Sequence, residues 1–498
     1  MARLRDLPVF PLTPEPVREG VGRDAAPVQL HIEPTGPSHG PRIALVTLGC
    51  DKNTVDSERM MAALVGHGAQ VSSEVEGADV VIVNTCGFIQ AAKEESIATI
   101  LEACQLKERG DLKAVVAVGC MVQRHGAELR TEIPEVDLYL GLTELQGLVP
   151  ELRKRGLLPD ATAVVPIMER PLRILSSETP HTSYLKISEG CDHTCAFCAI
   201  PLMRGLHRSQ PVGELVREAA GLAAAGVKEI NIVSQDTTWY GRDLRRRTAG
   251  AGAPPGNDAP PGKDAPLLPD LLRALLDGTD VPWYRLFYMY PSGITREMVD
   301  MVAREPRILP YLDVPIQHGS DRVLQLMRRP ERRNTILERV AWLRDAVPGI
   351  TLRTTVIVGF PGEGRDEFRQ LLDLLEEVEF DRVGAFTYSV EEGTRAAEMG
   401  GQVDEDVKQE RMEELMELQR GISFDRNLAL VGRRAQALVD RPVDDDPDYA
   451  AVARTPAQAL DVDGVTHLRA AAGLAPGDMV EVEIVDALDY DLVAEVRR

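Results

Sequence analysis

The chain reads as an α/β protein in three parts: a Rossmann-like parallel sheet, a partial (β/α)6 barrel, and a small C-terminal antiparallel β-barrel of oligonucleotide/oligosaccharide-binding type. Three observations predict this. Apolar strand-like runs alternate with amphipathic stretches from Arg42 to about Cys120, the rhythm of βαβ units and hence of a parallel sheet. Further strand–helix repeats run from Tyr184 to Thr387. After one long helix the pattern changes to short strands separated by turn residues.

A length of 498 residues suits about three domains with ample core. Hydrophobic residues at 44% and charged residues at 27% place the chain among soluble globular proteins. No apolar run approaches the ~18 residues of a membrane span, and the proline-rich start lacks a signal-peptide core. The expected compartment is therefore the cytoplasm, with no membrane partner. A formal net charge of −22 argues against a nonspecific nucleic-acid binder, which needs a basic footprint, and suits a basic partner.

Residues 1–40 carry Pro8, Pro11, Pro14, Pro16, Pro27, Pro34 and Pro37 with little periodicity, and read as a disordered tail. The first domain is expected over 41–155. Ile43–Leu48 is a strand ending in Gly49-Cys50, Asn53–Gly66 a helix, and Asp79–Val83 a strand running into Cys86-Gly87. A helix over 90–108 leads to a strand, Ala114–Val118, ending in Gly119-Cys120. Cys50, Cys86 and Cys120 thus each lie just past a strand's C-terminal end, and in a parallel sheet those ends share one edge, where ligand crevices form. The three thiols can converge although 36 and 34 residues separate them. Cys104 is the contrast: it follows Ile97, Ile100 and Leu101 at helical spacing and reads as core.

After a connector over 145–180, the central domain is expected over 177–419. Its strands are Tyr184–Ile187, Glu229–Ser234, Tyr284–Tyr288, Tyr311–Pro315, Thr351–Val358 and Arg382–Thr387. Pro211–Ala225 and Arg333–Ala346 are among its helices. The low-complexity stretch 245–265 reads as a disordered surface insertion. Just after the first strand come Cys191, Cys195 and Cys198, in C-x3-C-x2-C spacing. Three thiolates on one loop can reach one metal centre; on a 4Fe–4S cube they leave one iron open to a substrate or cofactor. A structural zinc site would need a second C-x2-C pair, which is lacking, and a disulfide reading strands an odd thiol in a chain without a secretory signal. Three merely neighbouring buried cysteines are the bland alternative.

The last domain, 420–498, follows a helix over 405–422. Strands are expected at Arg434–Val439, Asp461–Val465, Met479–Val485 and Leu492–Arg497. From Val431 onward 14 acidic residues face 7 arginines. Such a barrel is poorly made for RNA phosphates and could steer a basic protein surface.

The Cys191 motif with Phe197 resembles that of the radical S-adenosylmethionine (SAM) enzymes. From Arg42 to Arg498 the chain resembles their methylthiotransferase branch, which has an N-terminal cluster domain, a radical SAM core and a C-terminal TRAM domain. The resemblance is carried by GCDKNTVDSE (Gly49–Glu58), NTCGFI (Asn84–Ile89), SEGCDHTCAFCAIP (Ser188–Pro201), SQDTTWYG (Ser234–Gly241), PIQHGSD (Pro315–Asp321) and TYSVEEGT (Thr387–Thr394). Within the branch it is most similar to enzymes acting on a ribosomal protein; those acting on a tRNA adenosine tend to have Asn where Asp236 stands and a more basic final domain. Gln210 departs from the family, which usually has Arg there.

The resemblance implies two 4Fe–4S clusters, one on Cys191, Cys195 and Cys198 that binds SAM, the other on Cys50, Cys86 and Cys120 that carries sulfide. It implies SAM as radical source and methyl donor, a flavodoxin- or ferredoxin-like reductant, and as substrate the β-carbon of an aspartate in small-subunit ribosomal protein S-twelve. Donors for the SAM carboxylate and ribose, and a wall for its adenine, are expected from strand-end residues Ser234, Gln235, Asp236, Gln317, Arg353 and Phe360. His318 reads as a packed loop histidine. The rival readings are the same chemistry on tRNA and an iron–sulfur electron-transfer protein, although a carrier normally closes its clusters with four thiolates.

Overall fold

The computed structural model describes residues 30–159, 172–246, 265–443, 446–469 and 473–497. Residues 1–29 of the expected tail and 247–264 of the expected insertion lie outside these. Residues 30–40 depart from the tail expectation. Leu30 and Ile32 are buried in the N-terminal core, and Thr35 exchanges backbone hydrogen bonds with Val71. The Leu30-x-Ile32 alternation, masked by the surrounding prolines, puts both side chains on one face.

The N-terminal sheet has strands β1 (Arg42–Thr47), β2 (Gln70–Ser72), β3 (Val80–Thr85), β4 (Ala114–Gly119) and β5 (Leu138–Gly141), in the order β2-β1-β3-β4-β5. Every pairing is parallel. β3 (VVIVNT) and β4 (AVVAVG) are buried throughout, as central strands covered on both faces must be. Helices α1 (Asp51–Val65), α2 (Gln90–Arg109) and α3 (Cys120–Glu132) connect them. This doubly wound order places its crevice where the chain reverses direction across the sheet, between β1 and β3. β2 and β5 were too short to show alternation in the sequence. Cys104 packs in α2's buried face with Ile97 and Ile100.

The central sheet contains β6 (Thr182–Lys186), then, past a two-residue antiparallel ribbon of β7 (Ser188–Glu189) and β8 (Arg208–Ser209), β9 (Glu229–Val233), β10 (Trp283–Leu286), β11 (Ile308–Asp313), β12 (Thr351–Val358) and β13 (Arg382–Thr387). Its order is β13-β12-β11-β10-β9-β6, so each strand lies beside its predecessor and the barrel stays open between β6 and β13. Neither edge is left bare: α1 packs beside β6, and the helix Glu405–Leu428 beside β13.

A closed barrel ends the chain: β14 (Arg434–Pro442), β15 (Ala451–Arg454), β16 (Thr466–Arg469), β17 (Met479–Ala487) and β18 (Leu492–Val496). Four pairings are antiparallel and β16–β18 is parallel. The strand expected at 461–465 is instead a turn, with Asp461 at φ 64° and the Asp463 carboxylate accepting the Ala459 N–H; neither β15 nor β16, which starts just after it, is among the strands expected from the sequence. The barrel docks through buried charge. Glu229 of β9 lies between Arg285 and Arg454, and Asp440 accepts from Arg454 and meets His181.

Candidate active site

Cys50, Cys86 and Cys120 follow β1, β3 and β4, so the strand order alone brings them to the crevice. Gly49, at φ 93°, makes the approach possible: a Cβ there would sit 2.8 Å from Cys86 Sγ. Gly119, at φ 102°, is equally tight against Asn84 and Thr85. A polar net locks the three loops together. Asn53 Nδ2 donates to the Leu48 and Thr85 carbonyls, Asn84 Nδ2 to the Asn53 carbonyl and Ser57 Oγ, and Ser96 Oγ both accepts from and donates to the Cys86 backbone. Burial, then Cys50 and Cys120, push the Cys86 thiol up to about 12.

Cys191, Cys195 and Cys198 form the second set. The Cys191 N–H donates to the Gly205 carbonyl, and the Ala196 N–H to that of Met327, which pins the loop at both ends. Burial raises Cys198 to about 12 against a hydrogen bond from the Ile200 N–H, with Cys195 and Cys191 adding to the rise. Arg329 lies alongside, Nη1 3.9 Å from Cys195 Sγ, with its guanidinium 3.8 Å from the Tyr290 ring centroid. His193 also stacks on Tyr290, ring centroids 4.0 Å apart, and its Nε2 is 2.7 Å from Asp236 Oδ2.

The two sets share one wall. Tyr290 touches the Arg329 and His193 side of the second set; Tyr288, two residues earlier, reaches the N-terminal domain, where its hydroxyl donates to Asp51 Oδ1 at 3.2 Å. Two residues span about 7 Å at most. Burial raises the Tyr288 hydroxyl well above its ordinary value, and Asp51 and the Cys50 thiol push the same way. Both sets are all-thiol, the donor chemistry that iron–sulfur cubes require, and each offers three ligands rather than four. Among the described residues no group of His, Cys, Asp or Glu forms a single-ion site.

The expected SAM contacts divide. Ser234 Oγ and both side-chain polar atoms of Gln235 are buried without a hydrogen-bond partner in the protein, as befits groups awaiting a polar ligand. Asp236 is engaged, accepting from Thr238 N and Oγ1 besides meeting His193. Gln317 adopts φ 71° and its backbone pairs with β12. Arg353 is committed elsewhere, 3.1 Å from Asp313 and 3.7 Å from Asp463 of the barrel. Phe360 is fully buried with Ala196 and Tyr388, supporting the cysteine loop from beneath. His318 is a packed histidine, its ring between Glu363 and the Ser320 N–H. Gln210 Oε1 accepts from Arg59 at 3.4 Å. Lys52, Arg204, Tyr288, Tyr290 and Arg329 escaped the sequence reading, since each acts on a cysteine loop remote in sequence or, for Lys52, on a distant tyrosine.

Residues 42–141 match the family described as "Uncharacterized protein family UPF0004", residues 185–375 the radical SAM superfamily, and residues 431–496 the TRAM domain. The ribosomal protein uS12 methylthiotransferase RimO of Anaeromyxobacter sp. (strain Fw109-5) is 44% identical, covering 91% of this chain and 93% of its own. That of Symbiobacterium thermophilum is also 44% identical, with coverages of 91% and 90%. The chain belongs to the ribosomal protein uS12 methylthiotransferase family. The family member from Clostridioides difficile is 39% identical over 91% of this chain and 98% of its own. Among solved structures, the cobalamin-dependent SAM radical enzyme OxsB gives a TM-score of 0.48 at 14% identity, covering 76% of this chain and 56% of that one. Among the described residues of this uS12 methylthiotransferase family member, no helix is long and apolar enough to cross a membrane.

Proposed function

We propose that the chain methylthiolates the β-carbon of an aspartate in ribosomal protein uS12, with SAM as radical source and methyl donor. The observation that carries this is the wall Tyr288–Tyr290, with one thiol triplet served from each end. In this reading Cys191, Cys195 and Cys198 hold the SAM-binding 4Fe–4S cluster, and Cys50, Cys86 and Cys120 hold a second. When bound, the pair supplies the electron that splits SAM and the sulfur that is transferred. The protein's part is placement and exclusion. Ser234 and Gln235 offer buried polar atoms to SAM, Asp236 steadies His193, and the aromatic wall keeps water from a primary-carbon radical. The 41–155, 177–419 and 420–498 segments serve as cluster domain, radical core and TRAM domain.

A flavodoxin- or ferredoxin-like protein serves as reductant, in the cytoplasm. The acidic final barrel suits a basic ribosomal protein better than RNA, which disfavours the tRNA alternative. The test is to reduce the reconstituted protein anaerobically, add SAM, and measure 5′-deoxyadenosine. None from protein with both clusters intact leaves only an electron-transfer role. A methylthio mass increment on uS12, and not on tRNA, completes the assignment.

A further inference from the structure

Lys52 is a buried cation against the Tyr288–Tyr290 wall that lies between the two thiol sets. It stands two residues after Cys50, at the start of α1, yet its ammonium lies 3.1 Å from the centroid of the Tyr288 ring, which belongs to the other domain. Its one ion-pair partner among the described residues is Asp51 Oδ1, at 3.2 Å, and that oxygen also accepts from the Tyr288 hydroxyl. An ammonium has three donors. One carboxylate oxygen and one aromatic face leave a donor direction open.

The other cations near this wall each have at least two polar partners in the protein. Arg204 is engaged by Asp56, Glu189 and Asn53. Arg329 is held by the Pro315 carbonyl and Glu331, and Arg353 by Asp313 and Asp463. A carbon reacting between the two thiol sets must lie along Tyr288–Tyr290, and an aspartate β-carbon carries its carboxylate one bond away. That anion has to meet a cation when it leaves water.

We infer that Lys52 is a specificity-determining residue that receives the side-chain carboxylate of the substrate aspartate, using the donor left open between Asp51 and Tyr288. This rests on the function proposed above. Asp51 and the Tyr288 ring hold the ammonium in place in advance, so that little ordering is left for the moment of binding. A neutral side chain of the same shape, asparagine, can accept a hydrogen bond from the ammonium but brings no charge to pair with it, so it gains less.

The test uses cluster-loaded protein and two fluorescent peptides copying the modified uS12 loop, one with aspartate and one with asparagine at the target position. Binding is read by anisotropy and modification by mass. Wild type should bind the aspartate peptide about tenfold tighter, as expected for a charge-assisted hydrogen bond. Lys52→Met should bind both alike, while Lys52→Arg keeps part of the preference. Equal affinities in wild type, or an undiminished preference in Lys52→Met, overturn the inference. If Lys52→Met loses iron, Lys52→Gln and Lys52→Arg carry the comparison; loss of iron from all three assigns Lys52 to the fold and overturns it too. Wild type that methylthiolates neither peptide nor whole uS12 overturns the function itself, and this inference with it.

Discussion

Arg204 Nη2 donates to Asn53 Oδ1 at 2.6 Å, and that oxygen lies 3.7 Å from Cys120 Sγ. A guanidinium from the central domain's cysteine loop thus reaches the thiol set of the N-terminal domain. Asp56 and Glu189 share it, with Lys186 completing a buried network across the boundary. The order of the domains is therefore electrostatic as well as apolar.

Arg204→Met strands the buried Asp56 and the half-buried Glu189 with Lys186 alone. The expected cost is about 3–5 kcal/mol, seen as a lower urea midpoint, together with iron loss from the N-terminal set. An unchanged midpoint contradicts the network.

Glu189 gives the same boundary a pH signature. Burial pushes its carboxyl up, but Lys186 and Arg204 outweigh this and hold it at about 2, below the ordinary 4.5. The unfolded chain therefore takes up this proton first. The stability due to the carboxylate is complete above 4.5 and lost as pH falls toward 2. Wild type should exceed Glu189→Gln in urea midpoint by a constant margin from about pH 7 to about pH 5, and the margin should close below that. A margin that widens in acid reverses the sign and refutes the pairing.

The two cysteine sets should separate cleanly. Cys191→Ala abolishes 5′-deoxyadenosine formation. Cys86→Ala retains it but yields no methylthio mass increment, with roughly half the iron of wild type. Continued methylthiolation by Cys86→Ala removes the second cluster from the scheme.

Cys104→Ala should leave iron content unchanged. Its thiol is raised by burial to about 12 and packs among Ile97, Ile100 and Val115, so the substitution costs about 1 kcal/mol of packing. Loss of a cluster's worth of iron would make it a ligand.

The six central strands lie close to where their apolar runs predicted, because a parallel strand buried on both faces writes its burial into consecutive residues. The short β2, β5 and β15 carry too few residues for a pattern, and the 461–465 run, apolar only at Val462 and Val465, turned instead at Asp461. Among the candidate site residues the cysteines were legible, but Lys52, Arg204 and Arg329 were not. A thiol's chemistry announces itself by spacing, whereas an arginine looks the same on a solvated face.

By itself the chain's order of residues determined that three thiols sit at successive strand ends and three more on one loop, since alternation and glycine placement are local. Only the tertiary structure decided that Tyr288 stands under Lys52, that Arg204 serves Cys120's neighbour Asn53, and that Arg353 belongs to Asp313 and Asp463. Those partners come from separate sheets, and what joins them is the packing of one domain's strand ends against another's, for which no local periodicity exists.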